Sequence, residues 1–430
     1  MRRRAIVMLS MIEWCKDLFP ICRSITGPGI KQTLSYFEKI NPELKRLKFK
    51  SGTKVFDWIV PDEWSIKEAY ILDKYGKKHA DFKKNNLHVV NFSSPIKKKI
   101  SKKNLLNNLH TSNISRNAIP YVTKYYKRSW GFCISKNQLQ KIPNGNLKIH
   151  IDSKFSKGYL DLSHAIIKGR HKKEIFFSSY VCHPSMANNE LSGPVVLNAL
   201  LKYVNKLKNR KYTYRFVLLP ETIGSICYLS KYYKYLKKNV IMGYNLSCLG
   251  DSKAYSIIKG PNQPCLSFDA IYSILKNKKN LKIYSYLERG SDERQYCSPG
   301  IDLPVTGFCR SKYNMYKEYH TSLDNLEIIN ENNLKQSLNI LKRIVDVCEL
   351  SLFPKTQILC EPFLSKRNLH TENTKYDFKN RLSKDMDLRK NLLSFSNGKR
   401  SIFEISNILN VDIDDLCKEL KLLIKHSLIK

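Results

Sequence analysis

The spacing of apolar positions changes character twice along the chain. Over 12–40 they recur at helical intervals, with Trp14, Leu18, Leu34 and Phe37 on the apolar side and Thr26-Gly27-Pro28-Gly29 breaking the pattern as a turn. Short β-type runs punctuated by Pro and Gly come next, and 55–60, 69–73 and 87–92 are predicted strands. From about Trp130 to Leu352 strands and helices alternate: 174–182, 214–219 and 240–246 read as buried strands, 194–204 and 223–236 as helices. Such alternation predicts a largely parallel sheet covered on both faces, with its ligand site beyond the carboxyl ends of the strands. A linker from Pro354 to about Lys384 leads into a helical tail over 392–429. The tail's last amphipathic helix carries Leu416, Leu420, Leu423 and Ile424, and 426–429 is placed to begin a wing.

Composition narrows this picture. A chain of 430 residues exceeds one ordinary core, so two or three domains are expected. With 42% hydrophobic and 11% aromatic residues it has the material for packed interiors, which argues against disorder. No stretch approaches the roughly 18 apolar residues needed to span a bilayer, so no membrane association is expected. The start, Met1-Arg2-Arg3-Arg4 and then 5–9, has a short apolar run, no small-residue cleavage site and an early Glu13. A start nearer Met11 is expected rather than a secretory signal. The 12 cysteines are scattered, without a CxxC pair or zinc-finger spacing, which fits reduced thiols in a cytoplasmic protein.

The formal charge of +38 raises the question of a polyanion partner. Its excess is mostly lysine spread along the chain, as in Lys97-Lys98-Lys99, amid abundant Asn, Ile, Tyr and Ser. A compositionally biased genome gives that pattern without a nucleic-acid ligand. The tail also carries Glu404, Asp412, Asp414, Asp415 and Glu419, a poor phosphate-binding surface, so nucleic acid is not an expected partner. Oligomeric state leaves no trace in the sequence.

Four polar clusters fall where strands end. His183 follows a strand, and a turn with Asn189 and Glu190 leads into a helix near Ser192. A His at a strand end and an acid near a helix start can converge on one metal, although a His beside Pro184 also suits a plain turn. Glu221 follows the next apolar strand, placed to bind a metal or activate its water or to favour a helix N-terminus. Arg289 to Cys297 is dense in charge, around Ser291-Asp292, and fits a solvated loop as well as a site. Finally, His320 precedes Thr321 and Asp324, two residues of helix-capping type.

Together, in order and spacing, these clusters resemble the zinc aminopeptidase-like proteins of the M28 class, and most closely an uncharacterised bacterial branch of it. The motifs are His183, Ala187-Asn188-Asn189-Glu190-Leu191-Ser192-Gly193, Glu221 with Gly224-Ser225, Ser291-Asp292, and Tyr319-His320-Thr321-Ser322-Leu323-Asp324. The branch resemblance extends through Arg23-Ser24-Ile25-Thr26-Gly27, Val55-Phe56-Asp57-Trp58, Trp130-Gly131-Phe132-Cys133 and Cys360-Glu361-Pro362.

It implies an α/β, three-layer zinc-peptidase-like (phosphorylase/hydrolase-like) fold with a mixed, largely parallel sheet, a small β-rich inserted domain and a C-terminal winged helix. The corresponding expectation is an aminopeptidase-like domain over 10–47 plus 128–352, the insert over 48–127, a linker over 353–384 and a winged-helix-like domain over 385–430.

Three departures matter. The bridging Asp of two-zinc enzymes falls on uncharged Asn189, another ligand Asp falls near Ser247, and the usual Glu-Glu pair is Pro220-Glu221. A single zinc is therefore expected, with His183, Glu190, Glu221 and His320 as candidate ligands. Glu221 and Asp292 are the candidate catalytic groups, and the substrate is a peptide or small peptide-like amide. The alternative is a non-catalytic peptidase-fold binding or regulatory protein that docks partners through its winged helix.

Overall fold

The computed structural model describes residues 9–370 and 384–430. Its largest sheet has eight strands in the order Lys45–Lys50, Tyr159–Ile167, Thr213–Leu219, Glu174–Tyr180, Val240–Leu246, Val305–Cys309, Tyr255–Ile258 and Leu281–Tyr284. The four middle strands, from Thr213–Leu219 to Val305–Cys309, run parallel. Antiparallel pairings flank them on both sides, so the sheet is mixed.

The middle strands are buried on both faces, and alternate residues enter different cores. Ile175, Phe177, Phe216 and Leu218 pack with the helices Met11–Leu18, Pro28–Ile40, Ser192–Lys206 and Glu331–Ser351. Phe176, Val217 and Leu219 pack on the opposite face with the helix Ile223–Asn239. Period-2 side-chain direction thus makes a three-layer sandwich from near-continuous apolar runs. Because the middle strands are parallel, the residues after Tyr180, Leu219, Leu246 and Cys309 all emerge at one edge.

A second sheet has the order Lys78–His79, Glu63–Leu72, Asn146–Ser156 and Ile96–Ser101. Its longest strand, Asn146–Ser156, comes from beyond residue 127 and pairs with Glu63–Leu72 through most of its length. Two predicted strands differ from expectation. Residues 55–60 form a two-pair hairpin, Lys54–Val55 against Trp58–Ile59, because Phe56 takes a left-handed φ of 53° and turns the chain. In 87–92, the Asn85 side chain accepts from the Leu87 N–H and winds Asn86–His88 into a 3-10 turn; only isolated bridges follow.

The tail comprises the helices Lys384–Phe395, Ile402–Ile408 and Ile413–Lys425, with Lys355 and Thr356 bridging to Asn397 and Ile429. Its Ile402, Phe403, Leu416 and Leu420 share an apolar cluster with the helices Leu266–Leu275 and Glu331–Ser351. The expected linker lies partly outside the described residues. No helix among the described residues is long and apolar enough to cross a membrane, and all twelve cysteines are free thiols.

The turn at Thr26-Gly27-Pro28-Gly29 is a point of close approach. A Cβ on Gly27, whose φ is 94°, would stand 1.9 Å from the Trp64 carbonyl oxygen. Gly76 has a similar φ of 79° but faces open space. Gly27→Ala is therefore expected to cost roughly 3 kcal/mol, from overpacking plus left-handed strain. Gly76→Ala carries only the strain, about 1 kcal/mol. Equal urea midpoints for the two variants would refute the packing contribution.

Candidate functional site

His183 and Glu221 follow neighbouring parallel strands, which is why residues 38 positions apart in the chain meet. His183 Nε2 lies 3.7 Å from Glu221 Oε2. The other oxygen, Oε1, accepts from the Ser291 hydroxyl at 2.7 Å. His320 arrives from the loop after Val305–Cys309 with a φ of 53°, and its ring lies 5.4 Å, centroid to centroid, from that of His183. It stacks on Tyr319 at 3.9 Å, and its Nε2 is buried without a hydrogen-bond partner. Tyr121 stands edge-on to both imidazoles at 5.2 Å, and its main-chain N–H donates to the His320 carbonyl. His183, Glu221, His320 and Tyr121 line a cleft of about 480 Å³, together with Trp58, Tyr125 and Arg294.

Glu190 sits behind His183 rather than in that cleft. Its Oε2 is 2.7 Å from His183 Nδ1. Arg23, fully buried, reaches in from the N-terminal segment: its Nε donates to the His183 carbonyl at 2.8 Å and lies 3.7 Å from Glu190 Oε1, and its Nη1 donates to the Leu18 carbonyl. Arg23, Glu190 and His183 thus form a line leading from the interior to the cleft.

Among the described residues, Cys182, His183 and Glu190 are the one set of three metal-ligand types whose donor atoms all lie within 4.8 Å of one another. His183 Nδ1 is already engaged by Glu190 there, and burial holds the Cys182 thiol protonated by pushing it well above its ordinary value. Hydrogen bonding accounts for that set. His183 Nε2, Glu221 and His320 face the cleft without being drawn to the same spacing.

Asp292 differs from its expected catalytic place. It is fully buried and absent from the cleft lining. Its Oδ1 accepts from the Thr222 N–H and the Ser225 hydroxyl, both at 2.8 Å. Thr222 has a φ of 65°, so Asp292 braces the strained turn that presents Glu221. Asn189, the bridging position, is buried: its Oδ1 lies 3.2 Å from the Tyr180 hydroxyl and its Nδ2 has no partner. Ser247 bonds Cys309 instead of entering the site.

Asp324, of helix-capping type in the sequence, caps at long range. It accepts from the N–H groups of Ala187, Asn188 and Asn189 and from the Tyr316 hydroxyl. It thereby fixes the π turn Ala187–Leu191 that places Glu190. Glu293 does similar work for the Ser291 loop, accepting from the N–H groups of Gly290 and Ser291 and from Asn245 Nδ2.

Burial sets the electrostatics. It pushes both His183 and His320 down to about 3, so each is a neutral imidazole near pH 7. Burial, then the nearby Asp292 charge, pushes Glu221 upward. Burial lifts Glu190 to about 8 against the pull of Arg23. A neutral His offers one nitrogen lone pair to an electrophile, which is what a metal requires.

Sequence patterns did not single out Arg23 as a site residue, nor Tyr121, Tyr125 or Trp58. Arg23 stood within a noted motif and Tyr121 and Tyr125 share one loop, but no local periodicity marks Arg23 as backing His183 or the two tyrosines as facing the cleft.

Comparisons with known proteins bear on the family and the fold. Residues 12–351 match the family described as "Domain of unknown function (DUF4910)". The chain is 39% identical over 401 residues, covering 91% of itself and 89% of the relative, to a Clostridium acetobutylicum protein named "Putative polysaccharide biosynthesis protein with aminopeptidase-like domain". It is also similar to a crystal structure of a "putative peptidase" from Clostridium acetobutylicum. That match has a TM-score of 0.88 and 35% identity, over 98% of this chain and 95% of that one. A zinc aminopeptidase from Bacillus subtilis shares the fold, with a TM-score of 0.56 and 13% identity over 78% of this chain and 93% of the other. By the span of the family match, the chain belongs to the DUF4910 family, on an aminopeptidase-like α/β fold.

Proposed function

We propose that the cleft hydrolyses an amide bond of a peptide or small peptide-like substrate with the aid of one zinc ion. The observation that carries this is the meeting of His183 Nε2, Glu221 and the buried, unpartnered Nε2 of His320 at one cleft. Two neutral imidazoles with a carboxylate beside them suit zinc and its water. His183 and His320 would hold the ion, with Glu221 beside it left free to act as base, and Glu190, tied to Nδ1, would orient His183 rather than ligate. When bound, zinc polarises a carbonyl and lowers the pKa of water toward about 7.

The chain's own residues supply the rest. Among the described residues Glu221 is the one carboxylate lining the cleft, so the proton of the attacking water passes to it, with Ser291 holding its Oε1. Asp292 positions Glu221 through the Thr222 turn. Tyr121 and Tyr125, joined by a 2.8 Å hydroxyl contact, form the wall across the cleft.

Uncharged Asn189 favours a second reading, a binding protein on a degenerate peptidase fold, in which the three-helix tail is a winged-helix-like docking module. Metal analysis of protein purified without chelator separates the two, alongside assays on aminoacyl amides, short peptides and N-acyl sugars. The sugars are included because the Clostridium relative's name also mentions polysaccharide biosynthesis. About one zinc per chain, lost in His320→Ala along with amide hydrolysis, is the expected result. Zinc-free active protein would refute the metal scheme; zinc-loaded protein inert on the whole panel would select binding.

A further inference from the structure

The cleft does not end at Trp58. Beyond that ring lies a second hollow of about 510 Å³, lined by Phe56, Asp57, Tyr233, Gln295 and Ser298, and Trp58 and Gln295 border both spaces. The hairpin Lys54–Val55/Trp58–Ile59 carries the shared wall. Its rings are set edge-on to others from the main body, Trp58 to Tyr126 at 5.4 Å and Phe56 to Tyr233 at 5.9 Å.

These rings are poorly used by the fold. Phe56, Trp58 and Tyr126 are 48%, 37% and 54% exposed, on a protein whose formal charge is +38. Phe56 also holds a left-handed φ of 53°, which an aromatic residue rarely adopts without compensation. Clustered exposed apolar surface beside a cleft marks a ligand contact.

The chemistry of the walls selects among ligands. Aromatic rings and the aliphatic Ile226, Leu229 and Ile301 share the hollow with Asp57, Gln295 and Ser298, which offer hydrogen bonds. An aliphatic or aromatic side chain lodged there would meet the apolar wall but return no hydrogen bond to Asp57, Gln295 or Ser298. A pyranose ring has C–H faces that pack on aromatic rings and a rim of hydroxyls that satisfies the polar groups. We infer that the hairpin hollow binds a sugar ring, so that the substrate class is an amide carried on an amino sugar or glycan. This deepens the amide-hydrolase reading of the adjoining cleft and rests on it for the reaction, though not for the binding.

The test uses the full chain and chitotetraose, an oligosaccharide of N-acetylated amino sugars, with tetra-alanine as the peptide comparison. Binding is followed by calorimetry and by saturation-transfer NMR. Chitotetraose is expected to bind, to weaken at least 10-fold in Trp58→Ala, and to recover in Trp58→Phe, which restores a ring. No binding of chitotetraose, equal binding by Trp58→Ala, or displacement of the sugar by tetra-alanine would each overturn the inference. Glu221→Gln keeps the two proposals apart. Trp58-dependent sugar binding by a zinc-loaded wild-type protein that cleaves no amide upholds the subsite and refutes hydrolysis. Peptide hydrolysis lost in Glu221→Gln, without any sugar binding by wild type, does the reverse.

Discussion

Glu221→Gln is expected to lower amide hydrolysis by about 10³-fold while leaving the fold intact. General-base catalysis contributes on the order of 10²–10⁴-fold, and no other carboxylate among the described residues lines the cleft to take over the proton. The substitution keeps size and shape, and the amide can still accept from the Ser291 hydroxyl that now bonds Oε1. Turnover, melting temperature and zinc content should be measured together. A variant that keeps more than a tenth of wild-type activity would remove Glu221 from the mechanism. A comparable loss in Ser291→Ala is not expected: there Glu221 loses one hydrogen bond but keeps its chemistry, and a drop of about 10-fold fits a net bond of 1–1.5 kcal/mol.

Arg23→Met should produce the largest loss of stability of the substitutions considered, about 3–5 kcal/mol. Removing one member of a buried ion pair strands the other charge in a low-dielectric interior. Here that group is Glu190, whose Oε1 has no hydrogen-bond partner and faces Arg23 at 3.7 Å; burial lifts it to about 8, so the charge is stranded, and the loss complete, only above about pH 8. The same substitution removes donors from the His183 and Leu18 carbonyls. The decisive measurement is a double-mutant cycle by urea unfolding with Glu190→Gln at about pH 9, above the value to which burial lifts Glu190. If the pair is the cause, Arg23→Met/Glu190→Gln should be less destabilised than the sum of the single changes by at least about 1 kcal/mol. Strict additivity would show that Arg23 acts only through its carbonyl contacts.

Much of the scaffold was legible in the sequence because it is encoded locally. Near-continuous apolar runs such as Ile175-Phe176-Phe177 can be satisfied only by a strand covered on both faces, and the helices between such runs supply the cover. The weaker strand expectations were those without that constraint. Residues 55–60 and 87–92 contain apolar residues, but a left-handed Phe56 and an Asn85 side-chain cap redirect the backbone. Both are single-residue effects that periodicity does not register.

The site divides in the same way. Its place was fixed by the sequence: polar residues that directly follow buried parallel strands must gather at one sheet edge, which brought His183 and Glu221 together before any coordinates. What each side chain does there was decided by tertiary packing. Glu190 and Asp292 look like site carboxylates in the chain, yet one is turned behind His183 and the other beneath Thr222. Arg23 approaches His183 across 160 residues, and Asp324 caps a turn more than 130 residues away. Distances of that kind follow from how separate elements stack, and a one-dimensional pattern holds no information about them. The sequence therefore determined where this protein's chemistry is located. The fold determined that one carboxylate, two neutral imidazoles and a rim of aromatic rings are what face it.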